Sequence, residues 1–94
     1  MRPSDIKRIC VLGAGTMGAG IAQRAAQSGF RVSLRDIEDR FVQGGLESIR
    51  GTLDEGIRRK KVTEDQAEAI MGSIHGTTDM AEAVDGAQLV IEAI

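Results

Sequence analysis

The stretch Val11-Leu-Gly-Ala-Gly-Thr-Met-Gly-Ala-Gly-Ile-Ala-Gln23 reads as a buried strand that runs through a glycine turn into a helix. Gly13, Gly15 and Gly18 follow the spacing GxGxxG, and each glycine has its own physical task. Gly13 lets the strand reverse sharply, Gly15 lets backbone approach a pyrophosphate, and Gly18 lets the helix pack close on the strand. The helix start then presents its N–H groups and the positive end of its dipole to an anion. The spacing alone is a weak signal. It gains weight here because an apolar run precedes it, a helical pattern follows, and an acid stands at the end of the next strand.

Upstream, Ile9-Cys-Val-Leu12 is continuously apolar, as a central parallel strand covered on both faces requires, and Cys10 reads as a small buried hydrophobe within it. Residues 1–5 form a polar lead, expected to fray. Downstream, a helix over 16–28 carries Gly18, Ala22, Ala25 and Ala26, small side chains that let one side lie tight on a sheet, and Gly29 stops it. Arg31-Val-Ser-Leu-Arg-Asp36 is the second strand, Val32 and Leu34 alternating with Arg31, Ser33 and Arg35. Asp36 closes it roughly 20 residues beyond the glycines, where a dinucleotide fold places the carboxylate that accepts from the adenosine ribose hydroxyls and repels a 2′-phosphate. NAD is therefore read over NADP. The competing role for Asp36 is to cap the helix that follows. Arg35 is a cation next door, but it points to the other side of the strand.

A long helix is predicted over 37–62, where Val42, Leu46, Ile49, Leu53 and Ile57 form one apolar stripe. Gly44, Gly45, Gly51 and Gly56 weaken it, each by up to about 1 kcal/mol relative to alanine, so the helix needs a tertiary partner. Thr63-Glu-Asp-Gln66 is a capping box opening a second helix with Ala67, Ile70 and Met71 on its apolar side. A weak third strand over 73–77 holds His75. Asp79-Met-Ala-Glu82 reads as a second capping box, for a short helix ended by Gly86, and Gln88-Leu-Val-Ile-Glu-Ala-Ile94 is a fourth strand.

This order predicts an α/β chain with a partial Rossmann (doubly wound) fold. Its parallel sheet has about four strands in spatial order 3-2-1-4, right-handed crossovers, and a helical excursion after strand 2. The fourth strand would stand as an apolar sheet edge, and such edges recruit other chains. Residues 1–94 therefore read as the amino-terminal part of a dinucleotide-binding domain, or as a unit whose edge pairs with a second copy.

With 94 residues, 41% of them hydrophobic and 28% charged, the chain has room for one domain and a modest core. A net charge of −2 argues against a broad nucleic-acid surface. No stretch reads as a signal peptide or membrane span, so neither nucleic acid nor membrane is an expected partner. One cysteine makes no internal disulfide, which fits a reducing compartment: the cytoplasm, with the mitochondrial matrix left open. His75 lacks neighbours at ligand spacing and reads as a surface or edge residue, and no metal site is expected.

Gly13-Ala-Gly-Thr-Met-Gly-Ala-Gly-Ile-Ala-Gln23, Asp36, the two-helix excursion, Thr78-Asp79 and the ending Leu89-Val-Ile-Glu-Ala-Ile94 together resemble the start of the 3-hydroxyacyl-CoA dehydrogenase family. The resemblance implies an NAD phosphate loop at Gly13, Ala14, Gly15, Thr16, Met17 and Gly18, with Asp36 as the ribose carboxylate. It implies contacts from Thr52 and Arg59 to the coenzyme A part of an acyl-CoA substrate, at places where the family commonly has serine and lysine. It also implies a homo-oligomer. Its reaction would be oxidation of a 3-hydroxyacyl-CoA, in fatty-acid oxidation or a related four-carbon acyl-CoA pathway. A histidine oriented by a glutamate moves the hydroxyl proton in that family. Neither has a matching position here, so no catalytic residue is assigned, and the catalytic half and C-terminal helical domain are read as absent. Two other readings stand beside this one. The first is a free-standing nucleotide-binding half domain that self-associates without catalysis. The second is a 3-hydroxyisobutyrate-type dehydrogenase, against which Asp36 and the helical excursion count.

Overall fold

A computed structural model describes residues 2–94. Four parallel strands, β1 (Arg8–Leu12), β2 (Arg31–Arg35), β3 (Ile74–Thr77) and β4 (Leu89–Glu92), form a sheet in the order β3-β2-β1-β4. The helices are α1 (Thr16–Gln27), α2 (Asp39–Arg58), α3 (Glu64–Gly72) and α4 (Met80–Val84). The sheet order matches the sequence reading. Of the polar lead, Met1 lies outside the described residues, while Pro3–Asp5 forms a 3₁₀ turn in which Arg2 N–H donates to the Asp5 carboxylate at 2.9 Å.

Register explains the core. Ile9 lies opposite Val32 and Leu89, and Val11 lies opposite Leu34 and Ile91. Because side chains alternate along a strand, Ile9, Val11, Val32, Leu34 and Ile74 share one face, and they merge with buried residues of α1, α2 and α3 into one core. Ala19, Ala22 and Ala26 supply the small face of α1, and Gly29, at φ +96°, ends that helix as read from the sequence.

The opposite face carries Cys10, Ser33 and His75 in one row. There α4 lies against β2 and β3 with Ala83 fully buried. Ser33 is buried too, so the alternation in β2 marks two covered faces and not a dry and a wet one. Burial pushes the Cys10 thiol up, and the charge of Arg35 pulls it partly back. The thiol therefore stays protonated and packs as a hydrophobe.

The long helix is shorter than 37–62. Glu38 is extended at φ −129° and serves as N-cap of α2, and Arg59 is its C-cap. Val42, Ile49 and Leu53 of the stripe are buried, with Leu46 and Ile57 half-buried beside them. The glycines of α2 do not all weaken it. A Cβ on Gly51 would meet nothing within 4 Å, whereas one on Gly45 would meet the Ala14 carbonyl oxygen at 2.7 Å. Gly45 is thus the place where α2 crosses the glycine turn. Gly51→Ala should raise stability by up to about 1 kcal/mol. Gly45→Ala should lower it by about 1–3 kcal/mol through overpacking. Urea denaturation of the two variants checks this; equal midpoints would refute the crossing.

The first capping box forms as read: the Thr63 hydroxyl accepts from Gln66 N–H and the Gln66 side chain accepts from Thr63 N–H. The second is only half formed. Asp79 accepts from Glu82 N–H at 3.1 Å, but Asp79 N–H donates to the Thr77 hydroxyl. The Glu82 carboxylate instead takes the Thr77 hydroxyl and contacts His75 Nε2, because α4 starts beside the polar side chains of the edge strand β3. At the other edge, Gln88 accepts from the N–H groups of Lys7 and Arg8 and so docks β4 on β1. Leu89 and Val90 of β4 stay exposed.

Candidate functional site: a dinucleotide cleft at the glycine turn

The strand order places β2 and β4 on either side of β1, so the chain reverses its direction of travel across the sheet at β1. Ligands of open α/β sheets bind at such a point, beyond the carboxyl ends of the strands. A cleft of about 410 Å³ lies there, bounded by Gly13, Gly15, Asp36, Ile37, Met80 and Ala93 among others.

The glycine turn is built by contacts that no side chain could share. Gly13 sits at φ +109° with its N–H donating to the Arg35 carbonyl at 2.7 Å, and a Cβ on it would meet the Ala93 carbonyl oxygen at 2.6 Å. A Cβ on Gly18 would lie 1.6 Å from the Gly13 carbonyl oxygen. The turn therefore folds back directly onto the first turn of α1. A Cβ on Gly15 would meet nothing within 4 Å, so its bareness leaves backbone open to a ligand. Gly15 is also the N-cap of α1 and provides no side-chain acceptor, unlike Thr63 of α3 and Asp79 of α4. The first N–H groups of α1 are left for an anion.

Asp36 sits just past β2 and is held by two backbone donors. Its Oδ2 accepts from Ala14 N–H at 2.8 Å and its Oδ1 from Ile37 N–H at 2.7 Å. Instead of acting as a cap for α2, the carboxylate ties the glycine turn to the end of β2. Arg35, expected from strand alternation to leave on the other side, also borders the strand-end cleft, because its Nε donates to the Thr78 carbonyl at 3.0 Å in the segment between β3 and α4. Ala14 is buried at the turn, whereas Thr16 and Met17 are exposed on the first turn of α1.

Sequence reasoning missed several lining residues. Ile37, 69% exposed, and Met80, 42% exposed, are apolar side chains held open at the cleft, a signal visible only as an oddity of composition next to Asp36 and Asp79. A second cavity of about 500 Å³ lies between the glycine turn and α2, and Asp36 and Gly15 border both spaces. Arg40 and Phe41 line it, the guanidinium 4.8 Å from the ring centroid.

Thr52 and Arg59 fall in different surroundings. Thr52 lines a groove between α1 and α2 with Thr16, Gln23, Arg24 and Ser48, its hydroxyl donating to the Ser48 carbonyl at 3.1 Å. Arg59, at the end of α2, pairs with Glu55 at 3.0 Å. Hydrogen bonds from Arg58 and Arg59 hold the Glu55 carboxyl below the usual carboxylate range. His75 is exposed on the face away from the glycine turn. Among the described residues no group of three His, Cys, Asp or Glu is placed to hold a metal, and no helix is long and apolar enough to cross a membrane.

A β3-β2-β1-β4 parallel sheet, a glycine turn opening α1 and an acid closing β2 define a dinucleotide-binding module of the Rossmann class. Comparison with known proteins narrows the class to a family. The profile described as 3-hydroxyacyl-CoA dehydrogenase, NAD binding domain, matches residues 8–94, and the chain belongs to that family. A probable 3-hydroxybutyryl-CoA dehydrogenase of Deinococcus radiodurans is 45% identical over 84 residues, covering 89% of this chain and 30% of that protein. A peroxisomal fatty acid beta-oxidation multifunctional protein of Arabidopsis thaliana is 34% identical over 94 residues, covering all of this chain and 13% of its own length. In three dimensions, the (S)-3-hydroxybutyryl-CoA dehydrogenase of Ralstonia eutropha superposes with a TM-score of 0.91 at 37% identity, over 95% of this chain and 31% of that one. The chain thus spans about a third or less of these relatives. Family membership favours the 3-hydroxyacyl-CoA reading over the 3-hydroxyisobutyrate type, and the cofactor of this domain is NAD.

Proposed function

We propose that the protein serves in NAD-dependent oxidation of (S)-3-hydroxyacyl-CoA to 3-oxoacyl-CoA, with residues 1–94 supplying the amino-terminal part of the cofactor site. The observation that carries this reading is the Asp36 carboxylate, fixed 2.8 Å from Ala14 N–H where the glycine turn meets the strand ends. The nicotinamide cofactor, when bound, supplies the hydride acceptor. The chain's own contribution is binding and orientation. The bare turn at Gly13, Gly15 and Gly18 and the start of α1, with Ala14, Thr16 and Met17, hold the pyrophosphate. Asp36 accepts from the ribose hydroxyls, and Ile37 and Met80 offer apolar surface beside it.

Thr52 and Arg59 contact the coenzyme A portion of the substrate in this proposal, with Lys60 and Lys61 adding positive charge near the end of α2. Arg59 exchanges its partner Glu55 for a phosphate. Arg59→Ala in the assembled enzyme should raise KM for the acyl-CoA by about tenfold with kcat little changed, the size of one charge-assisted contact. An unchanged KM would remove Arg59 from the site. We place the protein in a reducing compartment, the cytoplasm first, as a homo-oligomer. The buried thiol of Cys10 and the exposed Leu89 and Val90 on β4 support those two readings.

Calorimetric titration tests the central reading. Purified residues 1–94 should bind NAD more tightly than NADP and should not oxidise 3-hydroxybutyryl-CoA. Failure to bind NAD would overturn the cofactor site. Turnover by this stretch alone would overturn the assignment of the catalytic residues to the rest of the enzyme.

A further inference from the structure

We propose that the amino-terminal end of the sheet carries a separate oxyanion site, a cavity under α4 in which Arg8, Arg31 and Ser33 take the phosphate group of a small molecule from solution. The cavity lies at the end of the strands opposite the cofactor cleft, so it depends on neither the NAD nor the coenzyme A reading.

Arg8 and Arg31 open β1 and β2 and lie directly opposite each other in the parallel register. They stand two residues before Cys10 and Ser33, so both side chains leave on the face that α4 covers, from strands about 4.8 Å apart. Like charges on neighbouring strands repel. Among the described residues neither arginine is ion-paired with a carboxylate.

Two acids border the same cavity without neutralising the pair. The Glu82 carboxylate is taken by His75 and the Thr77 hydroxyl. Asp85 meets Arg8 through its main-chain carbonyl, which accepts from Nη1 at 3.3 Å. Gly86, at φ +70°, packs against the same guanidinium, and a Cβ on it would stand 3.4 Å from Nη1. The loop after α4 therefore holds Arg8 in place, while Arg31 is exposed across from it.

A second feature points into the same space. Ser33 is only 7% exposed, yet its hydroxyl joins none of the hydrogen bonds among the described residues, and it borders the cavity. A hydroxyl withdrawn from water without a partner costs free energy that a bound acceptor restores. Its neighbour across the sheet is His75, whose ring Glu82 holds at the cavity wall.

The cavity measures about 350 Å³, room for a phosphate group with a small organic body. A doubly charged phosphate offers oxygens in several directions, enough to meet two guanidinium groups and a hydroxyl at once. A single carboxylate would leave one of the two cations uncompensated.

The test is melting of the complete enzyme, saturated with NAD so that the glycine turn is filled, in inorganic phosphate against sodium chloride of equal ionic strength. Phosphate should raise the melting temperature of the parent in proportion to its occupancy of the site. Exclusion of phosphate from the surface stabilises every variant alike, so the difference between variants is the readout. Arg31→Ala should weaken the apparent phosphate affinity by at least about tenfold, the size of one charge-assisted contact. Ser33→Ala should weaken it by about fivefold, the size of one neutral hydrogen bond. Arg50→Ala, which removes a guanidinium on α2 outside the cavity, should leave it unchanged. In chloride alone Arg31→Ala should melt at or above the parent, because the repulsion with Arg8 is relieved. Arg31 is exposed, so this variant keeps the core intact. An equal phosphate response in the parent and Arg31→Ala overturns the proposal. So does Arg31→Ala melting well below the parent in chloride with no phosphate response in either, which would mean that an acid from another part of the enzyme fills the cavity.

Discussion

Gly18→Ala should melt roughly 12–24 °C below the parent and lose NAD binding, a larger effect than any other single methyl in the chain produces. The added carbon would stand 1.6 Å from the Gly13 carbonyl oxygen and 2.7 Å from its carbon. Both are backbone atoms at a turn that is itself pinned. Gly13 N–H donates to Arg35, and Ala93 lies 3.5 Å from the same added carbon. No side chain can swing aside, so α1 must lift from β1. Overpacking costs typically about 1–3 kcal/mol, and a backbone clash this close belongs at the upper end. For a chain of this length about 3 kcal/mol is a large share of the total stability. Gly20→Ala is the control. It sits two residues on in the same helix, where an added Cβ meets nothing within 4 Å. It should melt at or slightly above the parent temperature. Equal melting of the two alanine variants would show that the close approach at Gly18 is not a constraint.

Asp36→Ala should weaken NAD binding by on the order of 1–3 kcal/mol and lower stability by about 1–2 kcal/mol, because the carboxylate has two separate roles. It accepts from Ala14 N–H and Ile37 N–H within the protein, and it is the proposed acceptor for ribose hydroxyls. Ala14 is only 4% exposed, so losing its acceptor leaves a backbone donor poorly served by water. Asp36→Asn separates the roles. It should recover most of the stability and only part of the NAD affinity. An unchanged NAD affinity in Asp36→Ala would remove the residue from the site, and unchanged stability would show that the tie to Ala14 contributes nothing.

The glycine turn, the acid closing β2, the sheet order and the core stripe of α2 were legible because each rests on a local rule. GxGxxG encodes its own turn, and the period of Val42, Ile49 and Leu53 names the buried face of a helix. Gly45 was not legible. In sequence it is one of several helix-weakening glycines, and only the crossing of α2 over Ala14 distinguishes it from Gly51. The second capping box misled for the same reason: the local pattern is present, but Thr77 and His75 reach Glu82 first.

The chain by itself determined what one strand, one turn or one helix face can encode: a parallel α/β half-sheet with an NAD-type turn and an acid at the end of the second strand. Tertiary structure alone decided which residues become neighbours across elements. It tied Asp36 to Ala14, turned Arg35 to the Thr78 carbonyl, and brought Arg40 from the next helix to the cavity beside the acid. The physical reason is that hydrogen-bond geometry and side-chain period act over a few residues. Contacts between segments far apart in the chain depend on how the helices settle on the sheet.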